Sequence, residues 1–164
     1  MYKKILVPTD GSALSDEAAT AAIDFARLCH ADIVAVSVAE PYPLVPAAEG
    51  AMVIDPGFET RTLTEMAQQN VDKVAKAARA AGVACTTETA FSTTPHEEII
   101  RAAEQHGCDL VFMASHGRRG LSKLLAGSVT QNVLAYSHIP VMVLRPKVTN
   151  GKLHTPATAA TAAT

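Results

Sequence analysis

Val111-Phe112-Met113-Ala114-Ser115-His116-Gly117 runs from a short apolar strand into a glycine-bearing turn, and nine residues further on Gly127-Ser128-Val129 opens a helical stretch. A glycine lets backbone N–H groups approach an anion with no Cβ in the way. A helix opened by Ser offers unpaired N–H donors at the positive end of its dipole. The layout therefore suits a phosphate, and strand, turn and helix in that order are the unit of an α/β chain.

The same unit recurs on either side. Ile5 to Val7 reads as a fully buried strand that ends at Pro8-Thr9-Asp10-Gly11-Ser12, and a helix follows from about Ser15 to Cys29, with Ala18, Ala22, Ile23, Ala26 and Leu28 near one face. Asp32 to Ala39 is a second strand. Pro41 to Gly57 lacks periodicity and is long for a connection, the kind of loop that forms a lid or stays disordered. Phe58 to Ala81 carries the longest helical pattern, stopped at Gly82, and Val83 to Phe91 is a Thr-rich third strand with one less buried face. Thr94-Pro95-His96-Glu97 combines a cap residue, Pro at the first helical position and Glu three after the cap, and starts a helix to about His106. Asp109 to Ala114 is the fourth strand, Ser128 to Tyr136 a helix capped by Ser128, and Ile139 to Leu144 the fifth strand.

Residues 1–147 are expected to form one domain, and 148–164, ending in Thr155-Pro156-Ala157-Thr158-Ala159-Ala160-Thr161, a disordered tail. Strands alternating with helices predict an open parallel sheet with right-handed crossovers and helices on both faces, a Rossmann-like α/β fold. In such sheets a ligand sits outside the carboxyl ends of the strands where the winding reverses. The turns after strands one and four both leave carboxyl ends. They share one crevice only if those strands are neighbours, which the pattern alone does not fix.

Composition narrows the classes. Hydrophobic residues make up 48% of the 164 but aromatics only 4%, with no Trp, so the core is built from Val, Ile, Leu and Ala, the palette of a buried parallel sheet under Ala-rich helices. A net charge of -2 leaves no electrostatic footprint for nucleic acid. Pro8, Thr9 and Asp10 end the first apolar stretch too early for a signal peptide, and no run approaches a membrane span. Cys29, Cys85 and Cys108 are odd in number and widely separated, which fits buried free thiols in a reducing cytoplasm. The six histidines show no metal-ligand spacing, so no metal site is expected. Ser115 beside His116 could suggest a nucleophile and its base, but adjacent side chains rarely face each other and no third orienting group is evident. No catalytic residue is assigned.

The loop from Gly117 to Ser128 matches neither a Walker sequence nor a dinucleotide fingerprint. Ala114-Ser115-His116-Gly117, nine residues, then Gly127-Ser128 resembles the ATP-binding signature of the universal stress protein family: Gly, two residues, Gly, nine residues, then Gly with Ser or Thr. The similarity extends from Lys4-Ile5-Leu6-Val7-Pro8-Thr9-Asp10-Gly11-Ser12 through Ile139-Pro140-Val141-Met142-Val143-Leu144. It implies a five-stranded sheet in the order 3-2-1-4-5, which makes strands one and four neighbours. Carried over residue by residue, the family's nucleotide contacts fall on Pro8, Thr9, Asp10, Val38, Met113, Ala114, His116, Gly117, Gly127, Ser128 and Val129. Asp10 suits ribose hydroxyls, Val38 and Met113 the adenine, and Gly117 and Ser128 the phosphates, with Arg118 and Arg119 where a cation reaches the terminal phosphate.

Ala114 stands where the signature has its first glycine. If that position needs a left-handed backbone, the Cβ costs about 1–2 kcal/mol, roughly tenfold in affinity; at a strand-like φ, Ala is the gentlest change available. The resemblance implies a cytoplasmic ATP-binding stress regulator or sensor. Mg2+ would enter with the nucleotide, and any hydrolysis would be slow. It also implies a homodimer through Ile139 to Leu144. The alternative is the family's other branch, a dimeric interaction protein that holds no nucleotide; the retained Gly117, Gly127 and Ser128 favour the binder. An enzyme of the wider adenine-nucleotide α-hydrolase-like group would need a glycine-rich loop after strand one, which Pro8-Thr9-Asp10-Gly11-Ser12 does not supply.

Overall fold

In the computed structural model, which describes residues 1–41, 56–117 and 127–146 and the backbone of 148–149 and 152–153, strands and helices alternate as the apolar pattern predicts. β1 (Lys4–Pro8) leads through α1 (Ala13–Cys29) to β2 (Asp32–Ala39), and α2 (Pro56–Ala80) leads to β3 (Cys85–Phe91). α3 (Pro95–Gln105) leads to β4 (Leu110–Ala114) and α4 (Ser128–Tyr136) to β5 (Val141–Leu144). All four pairings are parallel and the order is β3-β2-β1-β4-β5. A small antiparallel pair, β6 (Val148–Thr149) with β7 (Lys152–Leu153), follows.

Strand alternation sends the apolar side chains to two layers. Ile5, Val7, Ile33, Ala35, Leu110, Phe112 and Ala114 pack beneath α1 and α2 with Ala18, Ala22, Ile23, Ala26, Val71, Val74 and Ala78. Leu6, Val34, Val36, Val111 and Met113 pack on the other face with Ile99, Ala102, Ala103 and Val133 of α3 and α4. The many alanines let the helix axes lie close to the sheet. Since α1 and α2 cover one face and α3 and α4 the other, the winding reverses between β1 and β4.

Several boundaries differ from the sequence reading. Leu28, placed on the apolar face of α1, is 74% exposed, because two residues beyond Ala26 the helix has turned about 200°. β5 starts at Val141 rather than Ile139: Pro140 has no N–H to give a ladder, and Ser137 Oγ accepts the Ile139 N–H and donates to the Ile139 carbonyl, holding a turn there. The loop expected from Pro41 to Gly57 ends earlier, since α2 begins at Pro56; its residues 42–55 lie outside the described residues, as does most of the expected tail.

Candidate functional site

β1 stops early. Its pairing with β2 ends at Pro8 opposite Val36, whereas β2 continues to Ala39. Along β2 the even-numbered residues turn their peptide groups toward β1: the Asp32 N–H donates to the Lys3 carbonyl at 2.9 Å, and Val36 accepts from the Thr9 N–H at 2.9 Å. Odd-numbered residues turn toward β3, as the bonds Ile33 N–H to Ala84 O and Ser92 N–H to Ala39 O show. Val38 therefore directs its N–H and C=O into the slot that β1 has vacated, between β2 and β4.

That slot opens into a cavity of about 530 Å3 at the carboxyl ends of β1, β2 and β4. Pro8, Thr9, Asp10, Val38, Met113, Ala114, His116, Gly117, Gly127, Ser128 and Val129 all line it. Arg118, and Arg119 after it, lie outside the described residues. Further lining residues escaped the sequence reading: Ser15, Val36, Glu40, Leu63, Thr93, Pro95, His96, Ile99, Thr130 and Asn132. Some carried a usable signal. Val36 shares a strand face with Val38, and Thr130 and Asn132 lie in the first turns of the helix that the glycine loop opens. Thr93 and Pro95 sit at the carboxyl end of β3, where the general rule for open sheets puts ligands.

The two loops meet. A Cβ on Gly117 would fall on the Asp10 carboxylate, nearest Oδ2, so a larger residue there requires the carboxylate to move. Asp10 Oδ1 accepts the Ser12 N–H at 3.1 Å, which fixes the carboxylate. The turn after β1 is pinned from below as well. Thr9 Oγ1 lies 3.2 Å from Ser15 Oγ, with Thr9 and Ser15 both buried. Gly11 has φ +76° and lies against Asn70 of α2, whose Nδ2 donates to Ser37 Oγ at 3.3 Å.

Gly127, not Ser128, caps α4. Its N–H donates to the Ser115 carbonyl at 2.7 Å and its own carbonyl accepts from Gln131, so the helix starts one residue before the better capping side chain. Ser128 becomes the first helical residue. Among the described residues the N-cap of α4 supplies no side-chain hydrogen bond to its first turn, in contrast to α1, where Ser12 Oγ accepts the Ser15 N–H. A Cβ on Gly127 would lie 3.4 Å from the Cα and Cβ of His116, a tight fit that glycine relieves. Thr130 Oγ1, buried, donates to the Ala114 carbonyl at 2.9 Å and ties the helix start to the end of β4. α3 also begins at the cavity; Thr94 Oγ1 there donates to the Glu97 carboxylate at 2.9 Å and the Thr94 N–H to Ser92 Oγ, so the two side chains bond each other and the capping box that the sequence suggests does not form.

Two questions left open by the sequence are answered. Ala114 ends β4 with a negative φ, and its side chain belongs to the α1 and α2 layer, on the sheet face away from Val36 and Met113. It carries no left-handed strain. Ser115 and His116, expected to turn apart, face each other: Ser115 Oγ lies 3.0 Å from His116 Nδ1, because the chain bends as it leaves the sheet. Among the described residues no group of three His, Cys, Asp or Glu side chains could hold a metal ion, and no helix is long and apolar enough to cross a membrane.

An open parallel sheet with a glycine loop and a glycine-capped helix at its switch point defines an α/β protein with a cleft of nucleotide size. The sequence matches the profile of the universal stress protein family over residues 1–145, and the chain belongs to that family. It is 38% identical over 146 residues to universal stress protein MJ0531 of Methanocaldococcus jannaschii, covering 88% of this chain and 83% of that one. The solved structure of MJ0577 from the same organism is similar with a TM-score of 0.74 at 32% identity, covering 91% of this chain and 99% of that one. Two more distant solved structures share the fold: a universal stress protein in complex with cAMP (TM-score 0.63, 20% identity, covering 94% and 99%) and one from Archaeoglobus fulgidus in complex with dAMP (TM-score 0.61, 16% identity, covering 87% and 97%).

Proposed function

We propose that the cavity binds an adenine nucleotide, ATP with its Mg2+, and that the chain acts as a nucleotide-dependent stress regulator in the cytoplasm. One observation carries the reading: the Asp10 turn and the Gly117 loop close on the same cleft, with no room for a side chain between them. The Val38 peptide offers a donor and an acceptor side by side, which suits adenine N1 and N6; guanine presents the opposite order. Val36, Val38, Met113 and Ile99 give the base apolar surface. Asp10 would accept from ribose hydroxyls, and the N–H groups of Ser128 and Val129 at the start of α4, with the Ser128 hydroxyl and the Gly117 amide, would hold phosphate oxygens. That two relatives of the same fold are complexes with cAMP and dAMP supports the adenine class.

Mg2+ fits as a passenger of the triphosphate. Among the described lining residues the carboxylates are Asp10, beside Gly117, and Glu40 past the end of β2, and Mg2+ readily keeps phosphate oxygens and waters as ligands. Free Cys29, Cys85 and Cys108 suit a reducing compartment. Burial pushes the Cys108 thiol up to about 11, against the pull of Lys4, so it stays protonated and inert. The reading also includes a homodimer through β5, whose outer edge pairs with no strand among the described residues and whose Met142 is 36% exposed. Chromatography of the denatured, freshly purified protein tests the ligand cheaply: an adenine nucleotide near one per chain is expected. Its absence, together with no binding of added Mg-ATP, would leave the fold to serve as an interaction protein.

A further inference from the structure

Ser115 is anchored at every polar atom. Its N–H donates to the Leu144 carbonyl at 2.8 Å, its carbonyl accepts from Gly127 at 2.7 Å, and its hydroxyl lies 3.0 Å from His116 Nδ1. The residue is 2% exposed, so the hydroxyl proton needs an acceptor within the protein, and among the described residues Nδ1 is its partner. A proton on Nδ1 would make Oγ the acceptor and leave the hydroxyl hydrogen with none. The satisfied arrangement has the hydroxyl donating to Nδ1 and the ring proton on Nε2. His116 lines the cavity beside Gly117 and Gly127. With Nδ1 held, Nε2 is the ring nitrogen left for a ligand.

We propose that Ser115 is a positioning residue that fixes the orientation and tautomer of His116, so that its Nε2–H faces the phosphates. The site then gains a directed donor on the strand side of the loop, beside the N–H groups at the start of α4. Ser115 touches no ligand itself. This inference rests on the nucleotide reading of the cavity, but the tautomer is a property of the free chain and is measurable without nucleotide.

Long-range 1H–15N NMR of the imidazoles in the free chain should show His116 as the Nε2–H tautomer, and Ser115→Ala should shift it toward a mixture of both. Titration with Mg-ATP should show Ser115→Ala weakening affinity roughly fivefold, the effect of one hydrogen bond. In a His116→Ala background the Ser115 change should add nothing, which a merely structural loss would not reproduce. A wild-type His116 with its proton on Nδ1, or an equal loss from Ser115→Ala in both backgrounds, overturns the proposal. If the wild-type chain binds no Mg-ATP, the nucleotide reading fails and the phosphate role falls with it, while the NMR result still decides the Ser115 pairing.

Discussion

Ala114 is where a single atom separates this chain from the family's signature. Its backbone needs no glycine and its side chain packs with the α1 and α2 layer beside the cavity that the residue helps to line, so restoring glycine relieves no backbone strain. Ala114→Gly should leave Mg-ATP affinity within about twofold by calorimetry, against the tenfold improvement that a left-handed site would give. In chemical denaturation it should cost about 0.5–1 kcal/mol, the usual effect of glycine in a strand. Gly117 is the opposite case: its φ is not the issue, and the Asp10 carboxylate occupies the place of a side chain. The sequence marked both positions but could not separate these causes, because spacing records which residue stands at a position and not what lies against it.

Among the elements, β3 and α3 are joined by charge. Glu88 accepts from Arg101 Nη2 at 2.6 Å and lies 2.7 Å from His106 Nε2, while Arg101 Nε also donates to Glu98 at 2.8 Å. Partial burial alone would raise the Glu88 pKa; the hydrogen bonds from Arg101 and His106 outweigh it and hold the carboxyl below its usual value. A folded-state pKa below the unfolded one contributes stability above the unfolded value and loses it as pH falls through the folded one. Wild type and Glu88→Gln should therefore differ most at neutral pH and converge below about pH 4, as urea midpoints would record. The difference should be at most about 1 kcal/mol, since Arg101 is half exposed.

The two edges of the sheet raise a different question. Even-numbered residues of β5 face β4, as the bonds from Val111 to Pro140 and from Ser115 to Leu144 show, so Val141 and Val143 turn their N–H groups outward. Val143→Pro removes an outward donor and spares the ladder to β4. Sedimentation should find the variant monomeric and folded where the wild type is dimeric. A wild-type chain that stays monomeric at micromolar concentration would contradict β5 pairing. Element types from β1 to β5 were legible because each apolar run was either periodic or continuous and ended at a turn; β6 and β7 were not, since they fall in the stretch expected as a disordered tail, where two-residue strands leave no pattern. Element ends were not: Ser128 is the better cap by its side chain, yet the Gly127 bond to Ser115, made across the chain, sets where α4 begins.

At the scale of the molecule, the strand order converts separate signals into one site. The turn after β1 and the loop after β4 were readable as glycine-bearing turns, but their adjacency came from resemblance, and the fold brings them into contact. Glu40, Leu63 and His96 were invisible as lining residues, since nothing local links the end of β2, the flank of α2 and the start of α3. Only the order β3-β2-β1-β4-β5, with β1 ending short, brings them around one cavity. The central claim is that this cavity is a nucleotide site closed by Gly117 against Asp10. Calorimetric titration of Mg-ATP into the wild-type chain and into Gly117→Val, with folding checked by circular dichroism, tests it most directly. Saturable binding near one nucleotide per chain, abolished in a folded variant, is the expected result; equal affinity in both proteins, or no binding to the wild type, would contradict it.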